Sequence, residues 1–173
     1  AYERSLAGAD PLAENRTLLQ TLAIYINNEN IATLIGADAA SDLPVARFIE
    51  VRLFRRQDLA QHVASVAAIT ASLGPELAAI LSTTKETYDA RYNSGFSFSD
   101  LTANSVGVTL ASLALQDRNS AIEMQKRLSE LRTESDFMPE VGNNRDGLSE
   151  STFSAIYADS SSKEYIQKVN EIK

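Results

Sequence analysis

The stretch Leu101-Thr102-Ala103-Asn104-Ser105-Val106-Gly107-Val108-Thr109-Leu110-Ala111-Ser112-Leu113-Ala114-Leu115 carries no charged side chain and is apolar or small nearly all round a helical projection. A helix without a polar stripe is one surrounded by other elements. The stretch therefore predicts a central, largely buried helix at about 100–116 in a mainly α, single-domain helical bundle. Ser99 and Asp100 stand at its start, with the short oxygen-bearing side chains that cap helix N-termini. Along it Asn104, Gly107 and Ala111 recur at helical spacing, a strip of small residues that lets another backbone approach closely. The matching strip lies in the preceding segment, in Ala78, Ala79, Ser82, Thr83, Glu86 and Ala90, so those two helices are expected to meet there with Glu86 turned towards its partner.

Towards the N-terminus, 58–73 reads as a helix opened by Asp58 and Gln61 at capping-box spacing and closed by Gly74-Pro75. Pro75-Glu76 opens the next helix, with proline at the first position and an acid near the positive end of the dipole, and Asn93-Ser94-Gly95 ends it. In 44–56, Phe48, Ile49, Val51, Leu53 and Phe54 fit an alternating strand about as well as a helical face, and helix is the reading taken. Before that, 37–43 is expected to be loop, and 31–35 a short helical turn stopped by Gly36. Asp10-Pro11 caps and starts the first helix, in which Leu18, Leu19, Leu22 and Ile26 recur at helical spacing.

Beyond the central helix, 117–132 is amphipathic, with Ile122, Leu128 and Leu131 inward and Glu123, Lys126, Arg127 and Glu130 outward. The polar, turn-rich run 133–147 is a long loop, either a lid or a connection. Short C-terminal helices follow, one capped by Ser149 and one by a capping box of Ser161 with Glu164.

The 173 residues, 44% hydrophobic and 23% charged, suffice to bury a core without staples. A net charge of -7 argues against nucleic acid as partner, because phosphate binding needs clustered Lys and Arg. The one basic group, Arg52, Arg55 and Arg56, has the size of a solvated face. With no cysteine there is no disulfide, thiolate nucleophile or Cys-ligated zinc. No stretch reaches the roughly 18 unbroken apolar residues of a spanning helix, so a soluble chain without a transmembrane segment is expected.

Chemistry is concentrated around the only histidine. His62 lies one turn into its helix, Glu86 and Asp89 project from one side of the next, and Asp100 opens the third. In an up-down bundle these positions share one end, so His62, Glu86, Asp89 and Asp100 are the catalytic candidates, and His62, Glu86 and Asp89 the metal candidates. Lys85 and Arg91 are candidates for holding an anionic ligand. No cofactor is favoured, although the set is compatible with a divalent metal. Each residue also has a structural reading. His62 shares a face with Val66, Ile69 and Leu73, Asp58 and Asp100 suit helix caps, and Glu86 or Asp89 suit surface pairs with Lys85 or Arg91. No nucleophile elbow, Walker loop, dinucleotide fingerprint or His-Glu-x-x-His occurs.

Asp58-Leu59-Ala60-Gln61-His62, Gly74-Pro75-Glu76-Leu77-Ala78, Lys85-Glu86 with Asp89-Ala90-Arg91, and Ser94-Gly95-Phe96-Ser97-Phe98-Ser99-Asp100-Leu101 with Ala103 and Gly107 resemble a group of small uncharacterised, exported bacterial proteins. More distantly, His62, Lys85-Glu86, Asp89, Asp100 and Gly107 are similar to the VanZ-like and YfiM-like envelope proteins. The resemblance covers about a third of the chain, extended more loosely by Phe137-Met138-Pro139 and Gly147-Leu148-Ser149. It implies a periplasmic or exported setting and a shared His/Glu/Asp motif, without a transferable reaction. Where the family pattern favours an aspartate after the alanine, this chain has Ala103-Asn104, which removes one carboxylate from the set. Two functions follow as expectations: a non-catalytic cell-envelope binding or scaffold protein, with an envelope component or small molecule as partner, or a hydrolase using the His/Glu/Asp cluster, metal-assisted or not.

Overall fold

A computed structural model describes residues 1–44, 46–92 and 95–172, with side chains for all of these except 34, 82 and 86–92. The helices are α1 (Tyr2–Leu6), α2 (Pro11–Ile26), α3 (Ala32–Ile35), α4 (Ala37–Ser41), α5 (Gln57–Leu73), α6 (Pro75–Tyr92), α7 (Phe98–Ala114), α8 (Arg118–Glu130), α9 (Glu150–Tyr157) and α10 (Lys163–Glu171). α7 is the central element of this helical bundle, in keeping with the uncharged stretch from Leu101 onward. α5 runs along it, α6 and α8 flank it, and α2 closes over α5. No described helix is long and apolar enough to cross a membrane.

α6 packs on α7 as expected, but the closest approach, at Gly107, is to α5, which corrects the expected partner of that part of the small-residue strip. A Cβ on Gly107 would lie 2.7 Å from the carbonyl oxygen of Val63 and 3.0 Å from the nitrogen of Ala67, both on α5. The reason is that α5 presents its own buried small residues, Ala60, Ala64, Ala67 and Ala71, at helical spacing. On α6, Ala78 is buried while Leu77, Ile80 and Leu81 are exposed.

Helix starts follow local chemistry, with three corrections. Asp10 and Ser149 cap α2 and α9 as expected, and Asp117 caps α8, each accepting from a backbone N–H of the first turn. α5 instead begins at Gln57 behind Arg56, without a side-chain cap, because Asp58 is turned to the Arg56 guanidinium. At α7 the cap is Ser97, whose hydroxyl accepts from the Asp100 nitrogen at 3.0 Å, so Asp100 lies inside the first turn with its carboxylate free for other contacts. α10 is capped by Ser162 rather than Ser161.

Two further expectations change. Residues 37–43 are largely helical, since Ala37-Asp38-Ala39-Ala40-Ser41 has high helix propensity directly after Gly36. The described part of 44–56 is not helical: it runs without helix, turn or bend to a tight turn in which Leu53 and Arg56 exchange two backbone hydrogen bonds of 2.9 Å. Only Leu53 reaches the core fully, with Val51 and Phe54 partly buried against it, so no helical apolar face is satisfied there.

The run 133–147 is a connection strapped to the bundle. Met138 and Val141 are buried with Leu59, Val63 and Ala103, and Phe96 pairs with Leu148 through backbone hydrogen bonds of 2.7 and 3.0 Å. That pairing brings Gly95 against Gly147 so closely that a Cβ on Gly95 would stand 2.5 Å from the Gly147 carbonyl carbon. Phe96 and Phe98 then meet Phe153, Tyr157 and Tyr165 in a cluster of tilted and edge-to-face rings, which docks α9 and α10.

Candidate functional site

His62 projects from the second turn of α5 towards the first two turns of α7. Its Nε2 lies 3.4 Å from Asp100 Oδ2 and its Nδ1 2.9 Å from Asn104 Oδ1. With the amide oxygen as acceptor, Nδ1 carries a proton and Nε2 faces the carboxylate. Asp100 and Asn104 are four residues apart and so share a face of α7, which explains how one imidazole touches both. Asn104 is buried, and its Nδ2 makes no hydrogen bond.

Arg56 gathers the carboxylates. Its guanidinium donates to Asp58 through Nη2 at 2.6 Å and Nε at 3.2 Å, to Asp146 through Nη1 at 2.5 Å, and to Asp100 through Nη2 at 3.4 Å. The other oxygen of Asp146 accepts from the Ser97 hydroxyl at 2.8 Å and the Ser99 backbone nitrogen at 2.9 Å. One arginine thus ties the start of α5, the start of α7 and the 133–147 connection together, with fixed-fork geometry that a lysine lacks.

The electrostatics divide the aspartates. Burial pushes the Asp100 carboxyl above its ordinary value of 3.8, against the opposing pull of His62 and Arg56. Asp58 is held below that value by its hydrogen bonds from Arg56. For Asp146 burial also acts upward, but the hydrogen bonds from Ser99, Arg56 and Ser97 outweigh it and the net direction is down. Its hydrogen bonds to the Asp58 carboxylate, chiefly, raise the Arg56 guanidinium and keep it charged.

Beside this network opens a cleft of about 300 Å³ whose lining includes the polar Asp58, Gln61, His62, Lys85 and Asn104 and the apolar Val66, Ile69 and Leu81. His62 thus meets Asp100, and Lys85 lines the same cleft as His62. The side chains of Glu86, Asp89 and Arg91, expected to share this end of the bundle, lie outside the described residues. Among the described residues no group of three His, Asp or Glu side chains is disposed to hold a metal ion. No family model matches the chain, and neither a curated protein nor a solved structure is significantly similar to it.

Three members of the network were not legible as site residues. Arg56, read as part of a solvated basic face, is two-thirds buried at its side chain. Asp146 sits in a polar loop with nothing to distinguish it locally. Asn104, which stands where the family pattern favours a carboxylate, is an immediate neighbour of His62. The one available signal was its position one helical turn after Asp100.

Proposed function

We propose that this chain is a non-catalytic binding or scaffold protein of the bacterial cell envelope, with a small polar molecule held in the cleft beside His62. The observation that carries this reading is that both ring nitrogens of His62 are engaged within the fold, by Asn104 and Asp100. A general base needs a lone pair within reach of a substrate proton, and here one ring nitrogen is hydrogen-bonded to Asn104 while the other faces Asp100 at 3.4 Å. The cleft still presents amide, ammonium and carboxylate groups from Gln61, Lys85 and Asp58 together with the apolar side chains of Val66, Ile69 and Leu81, the mixture that orients small ligands. The envelope setting is supported by the resemblance of the His62, Lys85, Asp100 and Gly107 pattern.

The second reading is a hydrolase using His62 with the carboxylates of Asp100, Glu86 and Asp89, with or without a metal. The contact between His62 Nε2 and Asp100 favours it. Elemental analysis of protein purified without chelator separates the two. Metal-free protein whose melting temperature is raised by small polar compounds, an effect lost in His62→Ala and Lys85→Ala, is the expected outcome. Stoichiometric metal that disappears in His62→Ala would replace this reading with the hydrolase.

A further inference from the structure

Residues 46–52 form an open strand edge without a sheet. The Tyr25 hydroxyl accepts from the Ile49 nitrogen at 2.9 Å and donates to the Arg47 carbonyl at 2.9 Å. In an extended chain the N–H and C=O of residues two apart point the same way, so one hydroxyl reaches both. The side chains of Glu50 and Arg52, also two apart, form an ion pair with each other, which again requires an extended backbone. Tyr25 therefore occupies the edge of the odd-numbered residues, and the N–H and C=O groups of Phe48, Glu50 and Arg52 point to the opposite edge. Among the described residues nothing pairs with them. Beyond this the edge ends, because Phe54 has a φ of 49° and its nitrogen donates to Glu134. Phe48 and Ile49, on the two faces of the ribbon, are 41% and 62% exposed.

We propose that 46–52 is the edge on which a second copy of this chain pairs, antiparallel, about a two-fold axis through Val51. The charge pattern selects both occupant and register. An axis through Val51 sets Glu50 opposite Arg52 of the second copy, twice, and these are the residues whose free backbone groups close the hydrogen-bonded ring. Ile49 then lies beside Leu53 of the second copy, covering an exposed apolar side chain. An axis through Glu50 would oppose two glutamates, and one through Ile49 would pair no charges. A heterologous strand would need its own complementary charges, whereas this segment carries both signs at the spacing that makes it complementary to itself.

The chain contains no cysteine, which makes the test direct. Val51→Cys places one thiol on the axis, at a pair without backbone hydrogen bonds, where the two Cα atoms approach within disulfide range. Under mild oxidation it is expected to dimerise covalently roughly tenfold or more faster than Glu130→Cys, an exposed position on α8. Adding Glu50→Arg should remove that advantage by opposing two cations, and the double exchange Glu50→Arg with Arg52→Glu should restore it. In parallel, sedimentation velocity of the unmodified chain should show a concentration-dependent dimer that Glu50→Arg abolishes. Equal crosslinking of Val51→Cys and Glu130→Cys, or dimerisation indifferent to Glu50→Arg, would overturn the proposal.

Discussion

Asp100 shows how position on a helix converts a standard cap residue into part of a site. Ser99 and Leu101 on either side of it are buried in the fold, whereas at the third position of α7 its carboxylate is directed at His62 and Arg56 in a partly buried setting. Its raised pKa has a stability consequence with a definite sign. The folded state holds this proton more tightly than the unfolded one, so its contribution to stability is present at low pH and is lost as pH rises from about 3.8 through the folded value. Asp58 and Asp146 are lowered, so their stabilisation is present above 3.8 and is lost as pH falls through their folded values. The windows lie on opposite sides of 3.8. In urea unfolding across pH 3 to 7, Asp100→Asn is thus expected to gain on the wild type as pH rises, whereas Asp146→Asn should lose on it. Parallel profiles for wild type and Asp100→Asn would show that burial does not act on this carboxyl.

The pairing of α5 with α7 rests at the scale of elements on one missing methyl group. Gly107→Ala would drive a Cβ to 2.7 Å from a backbone oxygen, and a backbone atom cannot rotate away as a side chain does. Helix separation would have to increase along the whole contact, at a cost of about 1 to 3 kcal/mol, and Gly107→Leu should exceed that. Gly142 is the internal control, since a Cβ there meets nothing within 4 Å. Thermal melts of Gly107→Ala, Gly107→Leu and Gly142→Ala should rank in that light, with the last near wild type. A wild-type melting temperature for Gly107→Leu would exclude the close packing described here.

Across the whole molecule, Arg56 and Asp146 join segments 90 residues apart, and the second oxygen of Asp146 continues the tie into the start of α7. This partly buried junction holds the 133–147 connection next to the cleft. Asp146→Ala leaves the Ser99 N–H and one arm of Arg56 without a partner, at an expected cost of about 1 to 3 kcal/mol. A double-mutant cycle with Arg56→Ala should then show coupling, because each residue is the other's partner. Additive losses would mean that the two side chains act independently and that the strap is held by Met138 and Val141 alone.

What the sequence determined by itself was local: the central helix from its uncharged stretch, the breaks at Gly36 and Gly74-Pro75, and the caps at Asp10 and Ser149. These features follow from dihedral preferences, side-chain to backbone hydrogen bonds and i, i+4 spacing, all of which act within a few residues. The alternation in 44–56 was visible too, but its outcome depended on whether a neighbour would bury a helical face, and among the described residues the segment is held by the Tyr25 hydroxyl and ring and by the core around Leu53. Only the tertiary structure decided that Gly107 faces α5 rather than α6, since both neighbours carry small residues at the same spacing. It also decided that Asn104 and Asp100 take the two nitrogens of His62, and that Arg56 gathers Asp58, Asp100 and Asp146. Such contacts depend on how loops close between distant segments, and charge or spacing along the chain carries no record of which partner a side chain meets.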